Sequence, residues 1–478
     1  MQICDFFSKK KHCLELYPIK LFVICTIFCN FIERIFMKHL LIFIFAFIFC
    51  KPINAQDGFQ IQKNKQKVII NFNLINNLIL IPININGVEL TFLLDTGVDE
   101  TILFSLEDQQ EVQFYNVEKI KLRGLGNEEP IEGLKSSHNK LSVPNMIDED
   151  HELFVVLDQD FNFSSQIGIP VNGIIGYNFF KNHRVEIDYD RKKVVIYDES
   201  KKRSKRLKNK FSSFNISLEN HKPYMVSSID IMENKNVPVK LLVDIGNSDA
   251  VWLFNNESEK IKVPPNNFID FLGRGLSGDI FGKRARLNNL KIGDFNLEEP
   301  IASFPDSSSV ANVNFVKHRM GSIGSEILKR FTIVFDYQNN KMFLKKGKDF
   351  HLPFHYNMSG VEIQHSGLQW IQETVELNSS SGKKFIDLNE GKIKNEFRYK
   401  FILKPTFSIS NVRKDSPAEL CGLKKGDIVL SIDKSKSYKY TLQQINSLLK
   451  SEEGKIIEME IERDGKLMKF KFQLKSIL

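Results

Sequence analysis

Two stretches of the 478-residue chain, Leu93-Leu94-Asp95-Thr96-Gly97 and Leu242-Val243-Asp244-Ile245-Gly246, lie 149 positions apart. Each delivers one aspartate from an apolar run into a glycine turn, where the missing Cβ lets the backbone bend sharply beside a carboxylate. One such tripeptide arises by chance in many proteins, so the repeat has to extend beyond it. It does. Gly124, Gly126 and Gly133 fall at the same offset from Gly273, Gly275 and Gly282, and Ile175-Gly176…Ile187-Asp188-Tyr189 maps onto Ile323-Gly324…Phe335-Asp336-Tyr337 at an offset of 148. The chain reads as a duplicated unit with one aspartate per copy.

The length predicts two to four domains. Hydrophobic residues make up 42% of the sequence, enough for ordinary globular cores, and the net charge of +8 is modest for this size. Part of that charge sits in the run Lys201–Lys210, read as a solvated linker over 201–212, because no aromatic residue interleaves it as a nucleic-acid surface would require. From Met37 a basic start precedes the apolar stretch Leu40–Phe49, which reads as a signal peptide over 37–56, with residues 1–36 a doubtful upstream extension. Cys4, Cys13, Cys25, Cys29 and Cys50 then fall in the removed segment and leave only Cys421, so no intramolecular disulfide is expected.

Short β-branched and aromatic runs dominate both copies, assigned to 57–200 and 213–350: Val68–Phe72, Leu78–Ile85, Glu89–Leu94 and Val194–Tyr197 in the first, Val239–Val243 and Phe331–Phe335 in the second. Asn339-Asn340 predicts a hairpin turn before Lys341. Antiparallel sheet is the expected architecture, with only short helices near 178–181 and 326–329. Two carboxylates brought together across a pseudo-dyad cannot both ionise comfortably and share one proton. One then serves as base toward water while the other donates to a carbonyl. The plainer reading, that each aspartate only caps a turn, fits a single motif better than a duplicated one.

These motifs resemble those of retropepsin-like and pepsin-like aspartic proteases with two fused lobes, over roughly Asn71 to Lys346, including Ile174-Ile175-Gly176 and Ser322-Ile323-Gly324. The resemblance implies catalytic Asp95 and Asp244, loop support from Thr96, Gly97 and Gly246, and flaps built around Gly124, Gly126, Gly133, Gly273, Gly275 and Gly282. It implies no cofactor and no metal. One departure stands out: the residue after the aspartate is usually Thr or Ser, whose hydroxyl braces the two loops, and Ile245 cannot supply it. Gly273-Arg-Gly275-Leu-Ser-Gly278 matches a dinucleotide pattern, but no helical period follows it. No His-Glu-x-x-His pair is present.

After Lys348 the pattern changes. Ser416-Pro417-Ala418…Gly422-Leu423 reads as a capped short helix, Gly426-Asp427-Ile428-Val429 as entry to a strand, Thr441–Lys450 as an amphipathic helix, and Asp464-Gly465 as a hairpin turn. The segment 351–478 resembles a PDZ domain of the bacterial protease type. That resemblance implies a peptide-binding loop and strand at Ser359, Gly360, Val361 and Ile363, with C-terminal peptides as ligands.

The expectation is therefore a mostly β, exported, periplasmic or extracellular aspartic endopeptidase with two pseudo-symmetric lobes and a PDZ-like α+β domain. It would act as a monomer on protein or peptide substrates, with no nucleic acid and with the membrane met only through an uncleaved N-terminus. A catalytically inactive peptide-binding module and a PDZ-centred scaffold remain the alternatives.

Overall fold

The computed structural model describes residues 58–63, 65–104, 106, 111–122, 131–157, 163–198, 200–255, 260–275, 278–310, 315–376 and 397–478. The expected signal segment 37–56, Gly124 and Gly126 lie outside them.

Strand Val88–Leu94 runs antiparallel to Leu78–Ile85 and parallel to Gly173–Ile175 in a nine-stranded sheet. Gly173–Ile175 is in turn antiparallel to Thr101–Leu103, so the backbone leaves the sheet at Asp95, loops, and re-enters two positions away, on the far side of Gly173–Ile175. The second copy repeats this in a ten-stranded sheet. Strand Asn234–Val243 is antiparallel to Lys222–Ile231 and parallel to Gly321–Ile323, which pairs antiparallel with Val251–Leu253. The unbroken apolar run Leu78–Ile81 is buried at every position, as expected for a strand covered on both faces.

A third, six-stranded sheet joins the copies, in the order Ser212–Asn215, Lys341–Lys346, Phe331–Asp336, Arg184–Asp188, Lys193–Tyr197, Lys67–Asn71. Its two central strands, one from each copy, pair antiparallel with Val185 opposite Phe335 and Asp188 opposite Thr332. The pseudo-dyad is visible in single bonds: Phe72 N donates to Lys192 O at 3.1 Å and Ile216 N donates to Asn340 O at 3.0 Å. Asn340 takes a left-handed φ of 51° in the turn expected before Lys341.

The basic run forms a ten-residue helix, Lys201–Lys210, capped by Ser200 at Arg203 N. It is held down because Arg206 grips the buried Glu186 through both nitrogens at 2.6 and 2.8 Å, while Leu207 packs with Tyr197, Phe211 and Val334. The apolar residue and the guanidinium turn a charged stretch into a docked helix.

The C-terminal sheet runs Val361–Glu376, Phe397–Val412, Ile428–Ile432, Ile456–Arg463, Lys466–Gln473, with Ser435–Lys436 beside Ile428–Ile432. Its caps follow the sequence. Ser416 accepts from Glu419 N, Gly422 ends helix Pro417–Cys421 at φ 99°, and Thr441 with Gln444 forms a capping box on helix Leu442–Leu449. Asp464 and Gly465 take the positive φ values, 50° and 72°, that a two-residue hairpin turn needs.

This domain is anchored to the rest. Arg330, 2% exposed, lies 3.6 Å over the Phe354 ring and donates to Leu352 O and Pro353 O. Arg413 lies 4.3 Å over Phe268 and 3.7 Å from Asp270.

Candidate active site

Asp95 and Asp244 leave their sheets through the same bond, Asp95 N to Ile175 O and Asp244 N to Ile323 O, each 2.9 Å. Each carboxylate then accepts from the amide two residues on, Gly97 N at 2.6 Å and Gly246 N at 3.1 Å. The glycines also face the opposite aspartate. A Cβ on Gly97 would lie 2.8 Å from Asp244 Oδ1, and one on Gly246 would overlap the Asp95 carboxyl. Gly176 and Gly324 leave room in the same way for the carbonyls of Val98 and Asp249. The geometry brings the two aspartates face to face.

Burial drives the Asp95 carboxyl well above the ordinary carboxylate range, the Asp244 charge raises it further, and the Gly97 amide only partly offsets this. Asp244 is also raised by burial, but Arg319 and the hydrogen bond with Asp95 pull it back. The two carboxyls therefore titrate as a pair, both raised, with one proton held between them. Arg319 stands 4.7 Å from the Phe315 ring centroid and donates from Nε to Gly321 O at 3.1 Å, which fixes its charge beside the loops. Lys222 lines the same space.

Thr96 Oγ1 donates to Val243 O at 2.6 Å and accepts from Ile245 N at 3.1 Å. The side chain of Ile245 is fully buried, and the Ile245 carbonyl accepts from Ser325 Oγ at 2.8 Å. The brace between the loops is thus one-sided, carried by the first copy alone.

Both aspartates open into a cavity of about 1100 Å³. Ile102, Phe104, Ile174 and Trp252 give it apolar walls. Hairpin Asn267–Gly275/Gly278–Arg286 overhangs it through Phe271, Leu272 and Phe281, and Gly273 sits there at φ 141° beside a register shift, a conformation that favours glycine. Gly275 ends the first strand of that hairpin, whereas Gly282 lies midway along the second, opposite Asp270, and packs against the Phe304 backbone. In the first copy Gly133 lies in strand Ile131–Val143, where a Cβ would meet Leu122 at 2.7 Å and Val155 O at 3.0 Å.

The C-terminal domain closes the far side of the cavity through Ile363, Gln364, Asn446 and Lys450. Of the residues expected to bind a terminal carboxylate, Ile363 reaches this space, but Ser359 and Val361 are fully buried. Their loop is closed from within. Asn357 Oδ1 accepts from Ser359 N at 3.1 Å, Ser359 Oγ at 2.6 Å and Gly360 N at 3.2 Å, and Ser359 Oγ takes Val361 N at 3.1 Å. The loop amides expected to hold a peptide carboxylate are therefore already engaged.

Sequence reasoning missed Arg319 and Lys222, and also a buried ionic network. There Arg284 holds Asp249 at 2.9 Å and Asp270 at 2.7 Å, and Trp252 Nε1 donates to Asp249 at 2.8 Å. No local pattern marks these residues, because their partners lie on other strands. A Thr101, His151 and Asp148 trio, linked by 2.7 Å contacts, has the order of a nucleophile triad. All three are buried and none lines the cavity, so the trio braces the first lobe. Among the described residues no cluster of three or more His, Cys, Asp or Glu is arranged to hold a metal.

Residues 81–179 match the aspartyl protease family, and residues 408–463 match the PDZ domain family. The protein thus carries an aspartyl protease domain and a C-terminal PDZ domain, on an aspartic protease-like, mostly β fold. Among solved structures it is similar to an aspartic proteinase from Irpex lacteus, with 10% identity, a TM-score of 0.38, and coverage of 60% of this chain and 99% of that one. No curated protein matches it in sequence.

Proposed function

We propose that the protein is an aspartic endopeptidase in which Asp95 and Asp244 act on one water. The observation that carries this reading is the crossed packing of Gly97 on Asp244 and Gly246 on Asp95, which seats two carboxyls against each other with both held above their ordinary range. The ionised member of the pair takes a proton from the water as its oxygen attacks the peptide carbonyl, and the protonated member gives its proton to the carbonyl oxygen. Collapse of the resulting diol expels the amine, which is protonated from the pair, and one water is consumed per bond cut.

The overhanging Asn267–Arg286 hairpin supports an extended peptide held beneath it. Both aspartates belong to a single polypeptide, which supports a monomer as the working unit. The basic start and apolar core at Met37–Gln56 support export to the periplasm or the medium.

Cleavage of a diverse peptide library by the purified protein, between about pH 3 and pH 8, tests this beside Asp95→Asn and Asp244→Asn. Turnover lost with either substitution is the expected result. A folded protein that cuts nothing across the range would reject it.

A further inference from the structure

The pseudo-dyad runs residue by residue into the walls of the cleft. Leu80 pairs with Leu93 and Tyr224 with Leu242, so Leu78, two positions earlier on its strand, corresponds to Lys222. Asn172 N donates to Thr91 O and Met320 N to Lys240 O, while Phe104 N donates to Asn172 O and Phe254 N to Met320 O. Asn172 thus corresponds to Met320, and the residues just before them, Val171 and Arg319, are counterparts.

The two walls built at these positions differ in chemistry. In the first copy Leu78 and Val171 are buried with Leu80, Leu93 and Phe104 in one apolar cluster. In the second copy Lys222 and Arg319 take their places, and Ser322, opposite Leu242, stands where the first copy has Ile174, opposite Leu93. Leu78, Ile174, Lys222, Arg319 and Ser322 all line the cavity that holds Asp95 and Asp244.

The two cations are not matched by anions of their own. The Lys222 ammonium makes no hydrogen bond or ion pair among the described residues. Arg319 is held by neutral groups: Gly321 O accepts from its Nε at 3.1 Å, Tyr224 bonds its side chain, and the Phe254 and Phe315 ring centroids lie 5.4 and 4.7 Å from its guanidinium. Burial lowers the Arg319 pKa, as it does for a cation whose counter-charge is incomplete. Other carboxylates of the cavity are taken: Asp249 and Asp270 by Arg284, Glu326 by Lys329 and Asp279 by Arg274, while Glu100 is exposed on the first copy. Beside the dyad, two cations face the single negative charge left to a carboxyl pair that holds one proton.

Successive side chains of an extended peptide point to opposite faces, so the residues on the two sides of a cut bond meet different walls. We infer that Lys222 and Arg319 determine specificity: the substrate carries an acidic side chain on one side of the cut bond, set against these cations, and an apolar one on the other, set against Leu78 and Ile174. This rests on the peptidase reading. The substrate class is a polypeptide cut at a junction of an acidic and a hydrophobic residue.

The test uses four peptides that differ only at the cut bond, Leu-Glu, Leu-Gln, Glu-Leu and Gln-Leu, at about pH 5.5, where a peptide Glu is ionised. In one of the two orders Glu is expected to raise kcat/KM about tenfold over Gln, an advantage that shrinks as salt is added. Lys222→Leu, which installs the first copy's residue, and Arg319→Leu should each lower the Glu-to-Gln ratio. Because the ratio is taken within one preparation, a change in a variant's overall activity cancels. A ratio near one in both orders, or one that neither variant lowers, would overturn the inference and leave the peptidase reading standing. Fluorescence anisotropy of the same peptides on Asp95→Asn reads the wall without turnover. Tighter binding of a Glu peptide there, with no cleavage by the unmutated protein, would reject the peptidase reading and keep the cationic wall; equal binding of Glu and Gln peptides would reject the wall.

Discussion

The hydroxyl of Thr96 holds the loop that carries Ile245 at two points, Val243 O at 2.6 Å and Ile245 N at 3.1 Å, and the Ile245 side chain returns no hydroxyl to the Thr96 loop. All bracing of this type passes through one oxygen. Thr96→Val leaves two buried backbone groups unsatisfied, at a cost of about 1–3 kcal/mol. The same change is expected to lower kcat about a hundredfold through misplacement of the carboxyls. Urea unfolding and steady-state kinetics on one preparation check both.

Gly97→Ala puts a methyl 2.8 Å from Asp244 Oδ1, with that carboxylate's other atoms at 2.9 and 3.0 Å. Because Asp244 already accepts from Gly246 N, it gives way only by losing register with Asp95. A loss of about a hundredfold or more in kcat/KM is expected, with little change in far-ultraviolet circular dichroism. Near-normal turnover would mean that the carboxyls do not need this separation.

Arg319 lowers the Asp244 pKa by its charge. In Arg319→Leu that pull is gone, so Asp244 becomes protonated at higher pH and the acidic limb of the kcat/KM profile moves upward. A pH profile of the variant beside the unmutated protein gives the answer.

Burial, and then the charge of Asp270, raise Glu362 from 4.5 to about 7. The folded state binds this proton more tightly than the unfolded state. The stability Glu362 contributes is therefore complete below the unfolded value and disappears as pH rises through about 7. Glu362→Gln is neutral at every pH and should flatten the dependence of Tm across that window. A variant whose Tm falls as steeply as the parent's would exclude the assignment.

Asp270 lies between Arg284 at 2.7 Å and Arg413 at 3.7 Å. Arg413 is 4% exposed, and its Nε and Nη2 have no hydrogen-bond partner among the described residues. Asp270→Asn leaves that cation buried without a counter-charge and is expected to cost about 3 kcal/mol in urea unfolding. Glu362 should then titrate nearer its ordinary value, since one of the two influences raising it is removed.

What the sequence made legible was whatever is written in short range or in repetition. The aspartate loops, the paired glycines at 133 and 282, the cap at Ser416 and the turns at Asn340 and Asp464-Gly465 all depend on residues a few positions apart, or on a copy at a fixed offset. Hidden were contacts whose partners are remote in sequence. Asn357 looks like an ordinary turn residue until the Ser359 loop folds around it. Lys201–Lys210 looks solvated until Glu186, 20 residues away from Arg206, is buried beneath it. The brace at Thr96 was half legible: Ile245 announced that one hydroxyl was missing, but only the folded loops reveal that Thr96 reaches both Val243 O and Ile245 N.

The six-stranded sheet joins strands of both copies within one covalent polypeptide. An assembly of two identical halves has to carry every substitution twice, so a Thr-to-Ile change beside its aspartate would strip both sides of the brace at once. In a fused pair such a change is felt on one side only. Division of labour, with one loop gripping and the other gripped, one carboxyl protonated and the other ionised, is open to this protein because its two halves were free to become different.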